Sequence, residues 1–195
     1  MFLRPFSDMT VAEWISHARV PSDQLIDFGP PGLDAYARLR YIPDPSSPEQ
    51  AEADVQHTAD RLTEIEQTAR AIRLLAPFTS TPDQCFFCVW DGWPTSQWMV
   101  EESTSFVELS DRRYALRQGT LNEFDAWATT RTPETHSPPP AFIWPADHAW
   151  CFASDVDPHW AGIGAAKPAV TALLRDAVLD AVTADPTRRH PVFSP

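Results

Sequence analysis

Apolar residues recur along the chain at two periods, and the period changes from segment to segment. Val11, Trp14, Ile15 and Ala18 are spaced 3, 1 and 3 apart, which lays a stripe on a short helix that Asp8 or Thr10 can cap. Pro21, Gly29, Pro30, Pro31 and Gly32 make residues 21–33 read as a loop. Ala35, Ala37, Leu39 and Tyr41 alternate with Tyr36, Arg38, Arg40 and Ile42, a period of two that predicts a strand ended by Pro43 and Pro45. Ser47-Pro48-Glu49-Gln50 then supplies a cap, a proline at the first helical position and a glutamine three residues after the cap. Ala51, Val55, Thr58, Leu62, Ile65, Ala69 and Ile72 repeat at 3 and 4, so a long helix is expected over about 48–75, ended by Pro77. Glu66 and Arg70 sit one turn apart on its other face as a favourable pair. Ala and Thr in the seam suit a helix lying on a sheet better than a coiled coil.

Cys85-Phe86-Phe87-Cys88-Val89-Trp90 is an unbroken apolar run and predicts a buried strand, turned by Asp91-Gly92. Residues 104–109 and 112–117 predict a hairpin across Ser110-Asp111, and Leu121 to Ala128 a short helix with Phe124 and Trp127 inward. Residues 129–140, ending in Ser137-Pro138-Pro139-Pro140, read as an exposed spacer loop. Phe142 to Trp144, Trp150 to Val156 and Trp160 to Gly164 read as three more strands. Val170, Leu173, Leu174, Ala177, Val178 and Ala181 share a helical face, which predicts a C-terminal helix over Pro168 to Val182 and a loose tail from Asp185. The expected fold class is α+β: a mainly antiparallel sheet with the long helix (about 48–75) and the C-terminal helix packed on it. It forms one domain over 1–195, with a helical and strand part to residue 80 and a sheet-rich part over 85–182.

Composition changes this picture in three ways. At 43% hydrophobic over 195 residues, the chain can bury a core without disulfides or metals. Fifteen basic residues against 27 acidic ones give a net charge of −12. That field repels phosphate backbones and anionic membrane surfaces, so neither nucleic acid nor membrane is expected as a partner, and a basic protein would be attracted. Lys167 is the single lysine and Asn122 the single asparagine, a bias that reflects a GC-rich genome and weakens any functional use of the arginine excess. The three cysteines form no disulfide framework and fit a reducing compartment. With no apolar run in the first residues and none of membrane-spanning length, the expected location is the cytoplasm.

Candidate chemistry is sparse. Cys85-x-x-Cys88 and His148-x-x-Cys151 have zinc-like spacing and could together make a Cys3His tetrahedron. On a strand, however, residues i and i+3 face opposite sides, so Cys85 and Cys88 should diverge. Asp147, His148, Asp155, Asp157 and His159 form a second group, but they follow no standard ligand spacing and read as turns. G-x-S-x-G, S-x-x-K, P-loop and Rossmann signatures are missing, so no catalytic residue and no cofactor is expected. Eight tryptophans are the oddest feature. Trp90 and Trp150 fall in strands. Trp93 and Trp98 fall in a turn-rich stretch followed by Glu101 and Glu102, and these four are the candidate binding residues.

Cys85-Phe86-Phe87-Cys88-Val89-Trp90-Asp91-Gly92-Trp93 resembles an FxxWDGxG segment. Phe142-Ile143-Trp144-Pro145-Ala146-Asp147-His148-Ala149-Trp150, continued through Ala153, Asp155 and Asp157, resembles WWPADRAWxVATDID. Both are similar to segments of an uncharacterised actinobacterial protein family. The resemblance covers about residues 85–166, with His148 where the pattern has Arg. It implies an actinobacterial origin and no catalytic residues. The expectation is a non-enzymatic protein-binding module, such as an immunity-type inhibitor of a basic toxin or a regulatory adaptor. The alternatives are a zinc-binding protein using Cys85, Cys88, His148 and Cys151, or a small-molecule pocket walled by Trp90, Trp144 and Trp150.

Overall fold

The computed structural model describes residues 3–55, 61–93, 105–109, 111–129 and 138–194. Nine strands among them form one antiparallel sheet. Strand β5 (Arg112–Gly119) carries β1 (Arg4–Pro5) and β4 (Phe106–Leu109) on one flank. Beyond its other flank the order is β3 (Cys85–Trp90), β6 (Phe142–Pro145), β7 (Trp150–Ala153), β8 (Trp160–Ala165), β2 (Ala35–Arg40) and β9 (Ala181–Ala184). The α+β class, with a mainly antiparallel sheet, is the architecture observed.

Helices cover both faces, which explains the unbroken apolar runs. On one face lie α3 (Glu64–Leu75), α4 (Leu121–Thr129) and α5 (Lys167–Leu174); on the other lie α1 (Glu13–Ser16) and α2 (Ser22–Phe28). Along β3, Cys85, Phe87 and Val89 join the first core, while Phe86 and Cys88 join the second. A strand sandwiched this way has no polar side to show. Gly162 marks the closest approach of helix to sheet: a Cβ there would collide with the backbone carbonyl of Asp27 in α2.

The helix expected over 48–75 begins only at Glu64. Two start signals compete in that stretch, and the second one wins. Thr63 caps α3 through a reciprocal box with Glu66, worth about 1 kcal/mol. Gln50 instead folds back onto the Ser46 backbone N–H, and Glu52–Asp54 make a single 3-10 turn. Arg70 reaches Asp176 at 2.8 Å, so the expected pairing with Glu66 gives way to a tie between α3 and the turn that follows α5.

Three further expectations need correction. The stretch 21–33 contains α2, which ends at Gly29 with a positive φ of 77°. The C-terminal helix stops at Leu174, because the Asp176 carboxylate accepts from the Val178 and Leu179 N–H groups and opens a turn into β9. The tail is tied down rather than loose: Trp160 donates its indole N–H to the Pro191 carbonyl, and Ser194 bridges to Ala51. The spacer expected over 129–140 falls mostly outside the described residues, but its last two prolines, Pro139 and Pro140, are buried. No helix among the described residues is long and apolar enough to cross a membrane.

Candidate functional site

Six strand ends and one helix start converge at one end of the sheet. Trp90 closes β3, Arg112 opens β5, Ala141 precedes β6, Ser154 follows β7, Pro158 precedes β8 and Tyr41 follows β2, while Glu64 opens α3. Together with Trp93, Tyr114 and Asp155 they line a cleft of about 100 Å³. This loop end concentrates side chains that no single stretch of sequence brings together.

The aromatic wall is built by the Asp91-Gly92 turn. It folds Trp93 back so that its ring stands perpendicular to Trp90, at 89° with centroids 5.5 Å apart. The turn is held at its base, where Arg113 donates to the Asp91 carboxylate at 2.6 Å. Arg112 lies over the Trp90 ring with its guanidinium carbon 5.7 Å from the centroid. That arginine is neutralised twice, by Asp155 and by the exposed Asp157. Glu64 makes no ion pair among the described residues and stands open to solvent at the cleft. Its carboxyl is nevertheless raised above the ordinary value by desolvation and by the nearby charge of Glu52.

Asp27 is electrostatically coupled to this end. Burial raises its pKa to about 6, repulsion from Asp23 adds to the rise, and attraction from Arg112 opposes it. It also sits in the last turn of α2, where the helix dipole disfavours a negative charge. A carboxyl raised on folding is stabilising in its protonated form, so its contribution improves as pH falls from about 6 toward the unfolded value near 4. Asp27→Asn should therefore raise stability at pH 8 by roughly 1 kcal/mol, discounted for partial exposure, and change it little at pH 4. Calorimetric melts at the two pH values measure this, and a variant equally stabilised at both would refute it.

A second polar cluster is buried under the tail. Asp44 accepts two bonds from Arg38, at 2.8 and 2.9 Å, one from Arg40 at 2.9 Å, and faces the His159 Nε2 at 3.1 Å. Arg40 extends the set to Asp180. Despite its burial, the Asp44 carboxyl is held far below its ordinary range by these donors. Phe193 of the tail packs on the His159 ring, and His190 packs on Phe28 and Trp160.

The sequence candidates fare unevenly. Trp93 is at the cleft; Trp98, Glu101 and Glu102 lie outside the described residues. The four zinc-like residues are not gathered. Cys85 belongs to one core and Cys88 and Cys151 to the other, as strand alternation requires, and all three are fully buried. His148 stacks flat on Trp14, with centroids 4.0 Å apart, in a left-handed turn. No group of three or more His, Cys, Asp or Glu among the described residues could hold a metal ion. Asp147 is a turn residue, accepting from Thr79, Ser80 and Ala149. Of the three tryptophans expected to wall a pocket, only Trp90 lines the cleft; Trp144 and Trp150 are fully buried in opposite cores. Arg112, Tyr114 and Glu64 carried no motif, although the period of two across β5 places Arg112 and Tyr114 on one side. No family model, no curated protein and no solved structure matches this chain.

Proposed function

We propose that this chain is a non-enzymatic protein-binding module that takes a basic partner at the loop end of its sheet, as an immunity-type inhibitor of a basic toxin or a regulatory adaptor would. The observation that carries this reading is the partly exposed Trp93, held against Trp90 in a cleft that Glu64 and Asp155 also line. A fixed aromatic side chain ringed by carboxylates suits an interface anchor: the ring supplies contact area at low entropic cost, and the charges steer a basic surface to it. The net charge of −12 supports a basic protein over nucleic acid, and three free, buried cysteines fit the cytoplasm as the place of action.

The test is surface plasmon resonance against the purified product of an adjacent gene encoding a basic protein. We expect a dissociation constant below about 1 μM, association that slows as salt rises, and at least a tenfold loss in Trp93→Ala, about 1.4 kcal/mol. No binding at low salt, or binding indifferent to Trp93, would count decisively against the proposal.

A further inference from the structure

We infer that the cleft is an aromatic cage for an organic cation, the guanidinium or methylated ammonium at the tip of a partner's side chain. The inference rests on the binding-module reading and specifies what enters. Trp90 and Trp93 form two perpendicular walls, and Glu64 and Asp155 place carboxylates at the same cavity. Aromatic faces carry negative potential, and several of them around one small space bind a poorly hydrated cation better than a neutral group of the same shape.

The fold already makes this kind of contact once. Arg112 lies over Trp90, so that ring takes a guanidinium in the folded protein. Arg112 does not leave the cleft positive, because Asp155 and Asp157 both pair with it. Glu64 is an exposed carboxylate at the cleft without an ion pair among the described residues, and a bound cation would complete it. The cavity, about 100 Å³, admits a small head group such as a guanidinium or a trimethylammonium.

The experiment titrates the whole protein with choline, with its neutral isostere 3,3-dimethylbutanol, and with Nα-acetyl-arginine amide. Tryptophan fluorescence and indole proton resonances give the readout. We expect saturable binding of at least one cation, at least tenfold tighter than the neutral isostere. Trp93→Leu and Glu64→Gln should each weaken it at least fivefold while melting temperatures stay close to the parent's. Glu64→Gln keeps size and shape, so it remains informative if the tryptophan variant folds poorly. Equal binding of the neutral isostere, or no saturable binding of either cation, overturns the cage. Cation binding without any basic protein partner supports the cage and removes the protein-binding reading. A partner whose binding is weakened by Trp93→Leu but not by Glu64→Gln keeps that reading and overturns the cage.

Discussion

Asp44→Ala will destabilise the protein by about 3–5 kcal/mol, the largest effect expected from a single polar side chain here. Asp44 is the common acceptor for Arg38, Arg40 and His159. Arg38 is only 5% exposed, and its Nε already lacks a hydrogen-bond partner. Removing the carboxylate strands that guanidinium in the interior, and an uncompensated buried charge costs far more than a surface pair contributes. For a chain of this size the melting temperature should drop by roughly 10 °C. The pH dependence follows from the direction of the shift. A carboxyl lowered on folding contributes stability above its unfolded pKa near 4 and loses it as pH falls further, so the gap between variant and parent should narrow in acid. Denaturation in urea at pH 7 measures the effect, and a loss under 1 kcal/mol would mean that Arg38 finds water or another acceptor.

Trp150→Ala should cost a similar amount, about 3–5 kcal/mol, for a different reason. Its indole is fully buried under the helical face, and its Nε1 has no hydrogen-bond partner. The loss is therefore packing alone: apolar area returned to water, plus the cavity left behind. Trp93→Ala removes the same side chain from a partly open position and should cost less than about 1 kcal/mol. Paired urea titrations of the two variants separate a tryptophan that holds the fold from one free to serve a partner. A Trp150 variant losing less than 1.5 kcal/mol would show that the core collapses around the gap.

The strands were legible because their side-chain period is strict. Ala35 to Arg40 alternates between faces as its spacing predicts, and Cys85 and Cys88 diverge for the same reason. Helix limits were harder. Val178 and Ala181 continue the stripe of α5 on paper, but the Asp176 side chain captures the next two N–H groups, and the chain leaves the helix. Helix α2 was hidden because the prolines and glycines of 21–33 lie mostly at and beyond its ends. The cleft was legible only at Trp90 and Trp93. Its other walls come from strand ends far apart in sequence, and neither Glu64 nor Arg112 has a local pattern that distinguishes it from any surface charge. The Asp44 cluster was invisible for the same reason, since His159 reaches Asp44 across 115 residues.

The single lysine has a practical consequence. Lys167 is exposed and opens α5 just past Ala165, the far end of β8 from Trp160. Six strand residues, about 20 Å of extended chain, separate it from the loop end. A dye or surface linker coupled through its amine would therefore attach at one known side-chain position and leave the Trp90–Trp93 face pointing away from the support. The scarcity of lysine thus supplies a built-in handle for measuring the binding proposed here.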